Sequence, residues 1–215
     1  MRIKICGITN VRDAVAAADA GADAIGLVFA DSPRRVTPQQ ARRIAAALPP
    51  YVSAVGVFVN ARITTIRRIA ADVGLGEVQL HGDETPAFVE RLTGLRAVKA
   101  VRVRNHAFLE QFRAFREAGV AGLLLDAFSP QARGGSGQRF DWDLITGARR
   151  AGALDDAPPL ILAGGLTHQS VAAAIRRVRP WGVDVSTGVE TEPGIKCAEK
   201  IDRFVAVVRT ATRRT

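Results

Sequence analysis

Eight short apolar runs, each followed by an amphipathic helical stretch, fill a chain of 215 residues. That repeat predicts an α/β fold, a single (β/α)8 TIM barrel with a parallel eight-stranded core. The runs are near-continuous in Val, Ile and Leu rather than alternating, as expected of strands buried on both faces beneath a layer of helices. No linker or shift in composition divides the chain, so the prediction is one catalytic domain over residues 1–215. An open doubly wound sheet is the alternative. It usually carries G-x-G-x-x-G after its first strand, and CGITN lacks that pattern.

The first strand is read over residues 3–6, where Ile3 and Ile5 alternate with polar neighbours until Cys6 and Gly7 break the pattern. Asn10 is the expected cap of a helix over 11–20, with Gly21 as its stop. Strands at 24–29, 53–59 and 77–81 are followed by helices at 38–48 (capped by Thr37), 63–73 and 86–92. The second half repeats the unit, with strands at 97–101, 122–126, 160–163 and 183–186. Their helices are read at 107–118, a weaker 142–150, 168–178 (capped by Thr167) and 198–209. Gly74, Gly119 and Gly152 follow helical stretches as Gly21 does, where glycine takes the left-handed conformation that ends a helix.

Composition narrows the classes of function. Hydrophobic residues make up 47% of the chain and charged residues 24%, a globular balance. The formal charge is +9, and of 30 basic residues only Lys4, Lys99, Lys196 and Lys200 are lysines. Arginines recur in helical pairs such as Arg42–Arg43, Arg67–Arg68, Arg149–Arg150 and Arg176–Arg177, which read as solvated helix faces. Nucleic acid is not an expected partner, because aromatics are 6% and do not interleave with basic residues into a stacking platform. Nor is a membrane: no apolar run approaches ~20 residues, and nothing resembles a signal peptide. Cys6 and Cys197 have no metal-ligand spacing, so no metal is expected, and a free thiol fits a reducing cytoplasm. A monomer is the expected state, since no helix is apolar all round.

A barrel of this kind carries its chemistry at the C-terminal ends of the strands and in the loops that follow. Three glycine-rich segments fall there: RGGSG (133–137), AGGL (163–166) and STGVE (186–190). Glycines let backbone N–H groups approach an anion, and Ser and Thr add hydroxyl donors. The prediction is a phosphate held by Gly135, Ser136, Gly137, Gly164, Gly165, Ser186, Thr187 and Gly188. Asp126 ends the apolar GLLLDAF, where partial desolvation makes the acid form less disfavoured than in water and suits a general acid. The plain alternative is a loop cap or an arginine partner. Cys6 is a candidate base or nucleophile, its pKa expected to be lowered by an electropositive rim, with inert packing as the alternative. DSPRRVTP sets Arg34 and Arg35 over the mouth, and a guanidinium grips a carboxylate with two prongs, so the substrate is expected to carry a carboxylate too. His81, in QLHG, is a candidate contact or orienter. His106 and His168 read as surface residues at helix starts.

In chain order, KICGIT, GADAIGLVF, SPRRV, VGVFVN, VQLHG, LLLD, GGSG, FDW, LAGGL and DVSTGVE with PGIK resemble the phosphoribosylanthranilate isomerase family of tryptophan biosynthesis. The resemblance runs across nearly the whole chain. It implies a cofactor-free Amadori rearrangement of N-(5-phosphoribosyl)anthranilate to 1-(2-carboxyphenylamino)-1-deoxyribulose 5-phosphate. It implies that Asp126 protonates the ring oxygen, opening the furanose to a Schiff base, and that Cys6 removes the C2′ proton. It also implies Arg34 on the anthranilate carboxylate, the glycine segments on the phosphate, and Asp184 on the sugar hydroxyls.

Two positions depart from the family pattern. Arg35 stands where many relatives carry a non-basic residue, which opens the option of a shared carboxylate clamp. Cys197 stands where an acidic residue is frequent. A related bifunctional isomerase that also processes a histidine-pathway aminoaldose is the enzyme alternative. Its strand-one aspartate and two similar phosphate halves differ from Cys6 and the asymmetric glycine segments here. The non-enzyme alternative, a basic nucleic-acid-binding module, places function on the helices, away from the motifs.

Overall fold

The computed structural model describes residues 1–127 and 141–213. Eight parallel strands close into a barrel in sequence order, with the eighth pairing back onto the first. They are β1 (Arg2–Cys6), β2 (Ala24–Val28), β3 (Ser53–Phe58), β4 (Glu77–Leu80), β5 (Arg96–Val103), β6 (Gly122–Ala127), β7 (Leu160–Leu162) and β8 (Gly182–Val185). The helices between and after them are α1 (Val11–Asp19), α2 (Pro38–Ala46), α3 (Ile63–Val73), α4 (Pro86–Glu90), α5 (Phe108–Glu117), α6 (Asp143–Arg150), α7 (Val171–Val178) and α8 (Ala198–Thr212). The expected barrel is the observed one. Between β8 and α8 the chain adds a hairpin of β9 (Glu190–Glu192) and β10 (Ile195–Lys196), too short for any periodicity to announce.

Local chemistry sets most helix ends. The Asn10 side chain accepts from the Asp13 amide, and Thr37 and Gln40 form a reciprocal capping box ahead of Pro38. Gly21, Gly74, Gly119 and Gly152 all stand at positive φ, as expected of helix stops. The seventh helix differs from expectation: it starts at Val171, because the Ser170 hydroxyl accepts from the Thr167 amide and closes a turn there. Thr167 therefore opens that turn, and Ser170 takes the cap position of the helix.

The main core lies between barrel and helices, where Ile3, Ile5, Leu27, Leu80 and Leu123 meet Ala14, Ile44, Ile66, Phe112 and Phe204. Val98, Ala100, Leu124 and Ala163 form a smaller cluster inside the barrel. The arginines have a structural use. Arg42 of α2 donates to Asp72 O at the end of α3, and Arg67 of α3 to Arg91 O just after α4. Arg149 of α6 reaches Arg179 O after α7, and Arg209 of α8 reaches Gly21 O after α1. Each guanidinium thus ties one helix to the carbonyl end of the next around the ring, where a cation is favoured. No helix among the described residues is long and apolar enough to cross a membrane.

Candidate active site

A cavity of about 500 Å³ opens at the C-terminal ends of the strands. Cys6, Arg34, His81, Asp126, Gly164, Gly165, Asp184, Ser186 and Thr187 all line it, so the strand ends bring together most of the residues singled out from sequence. Gly188 lies outside the lining. A Cβ there would sit 2.0 Å from the carbonyl oxygen of Leu166, so this glycine serves the close packing of two loops. Gly135, Ser136 and Gly137 fall outside the described residues.

Cys6 ends β1, and Gly26 stands beside it in register on β2. A Cβ at Gly26 would approach the Cys6 Sγ to 2.7 Å, so the glycine of GADAIG makes room for the thiol. Lys4, two residues back on the same strand face, donates to Asp184 Oδ1 at 3.0 Å, its registered partner on β8. Burial pushes the Cys6 thiol up; Lys4 and Lys196 pull it down, and Asp184 adds to the rise. The net direction is upward, which corrects the expectation that an electropositive rim lowers it. Desolvation of a thiolate outweighs the cations that face it.

Asp126 ends the inward face of β6 and is buried. Its Oδ2 lies 3.0 Å from His81 Nε2, and His81 Nδ1 lies 2.8 Å from the amide nitrogen of buried Gln79. An amide nitrogen only donates, so this contact makes Nδ1 the acceptor and leaves the hydrogen on Nε2, pointed at Asp126. His81 thus stands in hydrogen-bond contact with Asp126. Gln79 was not singled out from sequence, although its place two residues before His81 puts it on the same strand face.

Arg34 and Arg35 separate. Arg35 is exposed at the mouth, while the Arg34 side chain crosses Gly7, where an added Cβ would meet its Cδ at 2.5 Å. Gly7 stands at φ +77, so both backbone and space require glycine. Arg34 donates from Nε and Nη2 to the two oxygens of Glu190, at 2.9 and 2.7 Å. Glu190 also accepts from Lys196 Nζ at 2.7 Å. Neither residue was singled out from sequence, although both belong to DVSTGVE and PGIK. Val28, Phe29, Val57 and Val59 give the same cavity an apolar wall, with Phe29 stacked on Phe58 at 5.1 Å between ring centroids. Opposite, Gly164 and Gly165 both stand at positive φ, turning the backbone after β7 at the rim. His106 is exposed, as expected; His168 is half-buried, its Nδ1 without a partner among the described residues.

Three comparisons bear on this geometry. Residues 3–207 match the family model described as N-(5′-phosphoribosyl)anthranilate (PRA) isomerase. An N-(5′-phosphoribosyl)anthranilate isomerase of Pelobacter propionicus is 48% identical over 97% of this chain and 96% of its own length. One of Azotobacter vinelandii is 49% identical over 98% of each. The crystal structure of phosphoribosyl anthranilate isomerase from Thermotoga maritima superposes with a TM-score of 0.87 at 41% identity, covering 98% of this chain and 99% of that one. A crystal structure of a phosphoribosyl anthranilate isomerase in complex with reduced 1-(o-carboxyphenylamino)-1-deoxyribulose 5-phosphate superposes with a TM-score of 0.84 at 40% identity, covering 98% of this chain and 99% of that one.

Proposed function

The chain belongs to the N-(5′-phosphoribosyl)anthranilate isomerase family and is an aldose–ketose isomerase of tryptophan biosynthesis, and we propose that Asp126 and Cys6 divide its proton transfers. The observation that carries this reading is the shared cavity: an acid on β6 and a thiol on β1 line one space with an arginine, an apolar wall and glycine loops. The substrate, N-(5-phosphoribosyl)anthranilate, has a part for each. Its ring lies on Phe29 and Val57, its carboxylate meets Arg34, and its phosphate meets Gly164, Gly165, Ser186 and Thr187. The product-like ligand of the structural relative carries the same carboxyphenyl and phosphate groups.

Asp126, held through Oδ2 by His81, gives a proton to the furanose oxygen, and the ring opens to a Schiff base. The Cys6 thiolate takes the C2′ proton, the electron pair moves to the iminium nitrogen, and the resulting enolamine tautomerises to the ketone. Asp184, with one oxygen on Lys4, presents the other to a sugar hydroxyl. These are proton transfers with no net change of oxidation state, so protein groups suffice without a cofactor. The cytoplasm suits them, because Cys6 must remain reduced.

The test is complementation of a tryptophan auxotroph lacking this isomerase, with kinetics on the purified variants. Wild type restores growth. Cys6→Ser and Asp126→Asn each lose roughly 10²–10⁴-fold in kcat/KM at unchanged melting temperature. Full turnover by Cys6→Ser would remove the base assignment.

A further inference from the structure

We propose that Glu190 and Lys196 are specificity-positioning residues: they hold Arg34 by one edge so that its other edge forms a receptor for the ring carboxylate of the substrate. The inference rests on the reading of Arg34 as the carboxylate ligand.

A guanidinium carries five N–H groups in a plane, on a side edge (Nε with Nη2) and an outer edge (Nη2 with Nη1). Glu190 occupies the side edge through both of its oxygens. No described residue accepts a hydrogen bond from Nη1, and Arg34 lines the cavity, so the outer edge is what remains for a ligand. A carboxylate docks on such an edge with two parallel hydrogen bonds.

Arg34 and Glu190 alone would cancel in charge and offer an incoming carboxylate little net attraction. Lys196 changes that. Its side chain is 0% exposed, and its ammonium donates to Glu190 Oε1 at 2.7 Å and to Ser186 O at 3.3 Å. The trio carries one positive charge over. With a substrate carboxylate added, the row reads ammonium, carboxylate, guanidinium, carboxylate, and every buried charge has an opposite neighbour and a hydrogen bond. Hydrogen bonds and charge from Arg34 and Lys196 outweigh burial and hold Glu190 below the usual carboxylate range, so it is ionised when the site works.

The hairpin exists in a form that delivers this. Lys196 on β10 is the registered partner of Glu190 on β9. Gly194, at φ +85 in the connecting turn, donates its amide to Glu190. Its carbonyl accepts from the Thr9 hydroxyl at 2.6 Å, and the Lys196 amide donates to Asp13 of α1 at 2.8 Å, which docks the hairpin on the first βα unit.

The experiment compares two ligands by calorimetry: the product, and its analogue lacking the ring carboxylate. The fitted stoichiometry counts folded sites, so affinities refer to native protein only. Wild type prefers the product. Glu190→Gln and Lys196→Met are each expected to cut that preference roughly tenfold or more while moving the affinity for the analogue less than about threefold. Arg34→Met is expected to abolish the preference. If Arg34→Met abolishes it while the other two variants keep it, the positioning role is wrong and Arg34 stands. If Arg34→Met keeps it, the Arg34 reading itself is wrong. If Glu190→Gln or Lys196→Met weakens both ligands equally, that residue supports the fold and not specificity.

Discussion

Lys4 and Lys99 each set a buried ammonium against a carboxylate, Lys4 on Asp184 at 3.0 Å inside the barrel and Lys99 on Glu84 at 2.9 Å on its outer side. Their surroundings differ. Lys99 also donates to the carbonyls of Leu80 and Gly82, so all three of its hydrogens are placed. Glu84 in turn accepts from the amides of Asn60 and Gly82. Lys4 has Asp184 as its oxygen partner among the described residues, with the Cys6 thiol beside it. Burial lowers the Lys99 pKa despite Glu84, whereas Asp184 and Cys6 together outweigh burial and raise that of Lys4. The saturated ammonium of Lys99 staples backbone; that of Lys4 lies where it would stabilise a thiolate at Cys6, the proposed base.

The largest effect should separate the two on stability. Lys99→Met leaves Glu84 buried without its cation and frees the carbonyls of Leu80 and Gly82, and is expected to cost about 3–5 kcal/mol in urea unfolding. The pH dependence of kcat/KM in its folded fraction should match wild type. A displaced pH limb in that variant would break the division between staple and catalytic support.

Lys4→Met sharpens the other half. As the proposed base, Cys6 would work as a thiolate; burial raises its pKa, so kcat/KM should rise with pH through and above the ordinary thiol range. Removing Lys4 takes away a downward pull and leaves Asp184 pushing upward, so the rising limb moves to higher pH. At neutral pH the loss should be roughly ten- to a thousandfold, the effect of removing one close opposite charge. Iodoacetamide alkylation of Cys6 in a Cys197→Ala background checks this without turnover. An unmoved alkylation profile would detach Lys4 from the base.

The same contrast explains what was legible in the sequence. Strands buried on both faces write themselves as apolar runs, so the barrel and its rim were readable, and with the rim came Cys6, Arg34, His81 and Asp126 as candidates, while Asp184 came only with the family resemblance. Lys4, Lys99, Glu190 and Lys196 were not readable as partners. Their roles depend on register between strands 180 residues apart in sequence, on a hairpin with strands of three and two residues, and on which face of β5 a lysine takes. The direction of the Cys6 shift was misread for a related reason. Counting nearby cations registers attraction but not the depth of burial that opposes it.

Gln79 sits where the two networks meet, and it supplies the smallest expected effect. Lys99 fixes the backbone on both sides of His81 through Leu80 O and Gly82 O, while the Gln79 amide fixes the imidazole ring and its tautomer. Gln79→Leu keeps the first and removes the second. With one neutral hydrogen bond worth ~0.5–1.5 kcal/mol, kcat should fall between about two- and tenfold while KM and urea stability stay near wild type. Gln79→Glu should act in the opposite sense on the ring. A carboxylate at Nδ1 draws the hydrogen to that nitrogen and stabilises a protonated His81 beside Asp126. Nitrogen-15 shifts of the His81 ring distinguish the two forms. If both variants leave those shifts and kcat unchanged, His81 is oriented by its backbone staple alone, and the Lys99 network reaches further into catalysis than its saturated hydrogen bonds suggest.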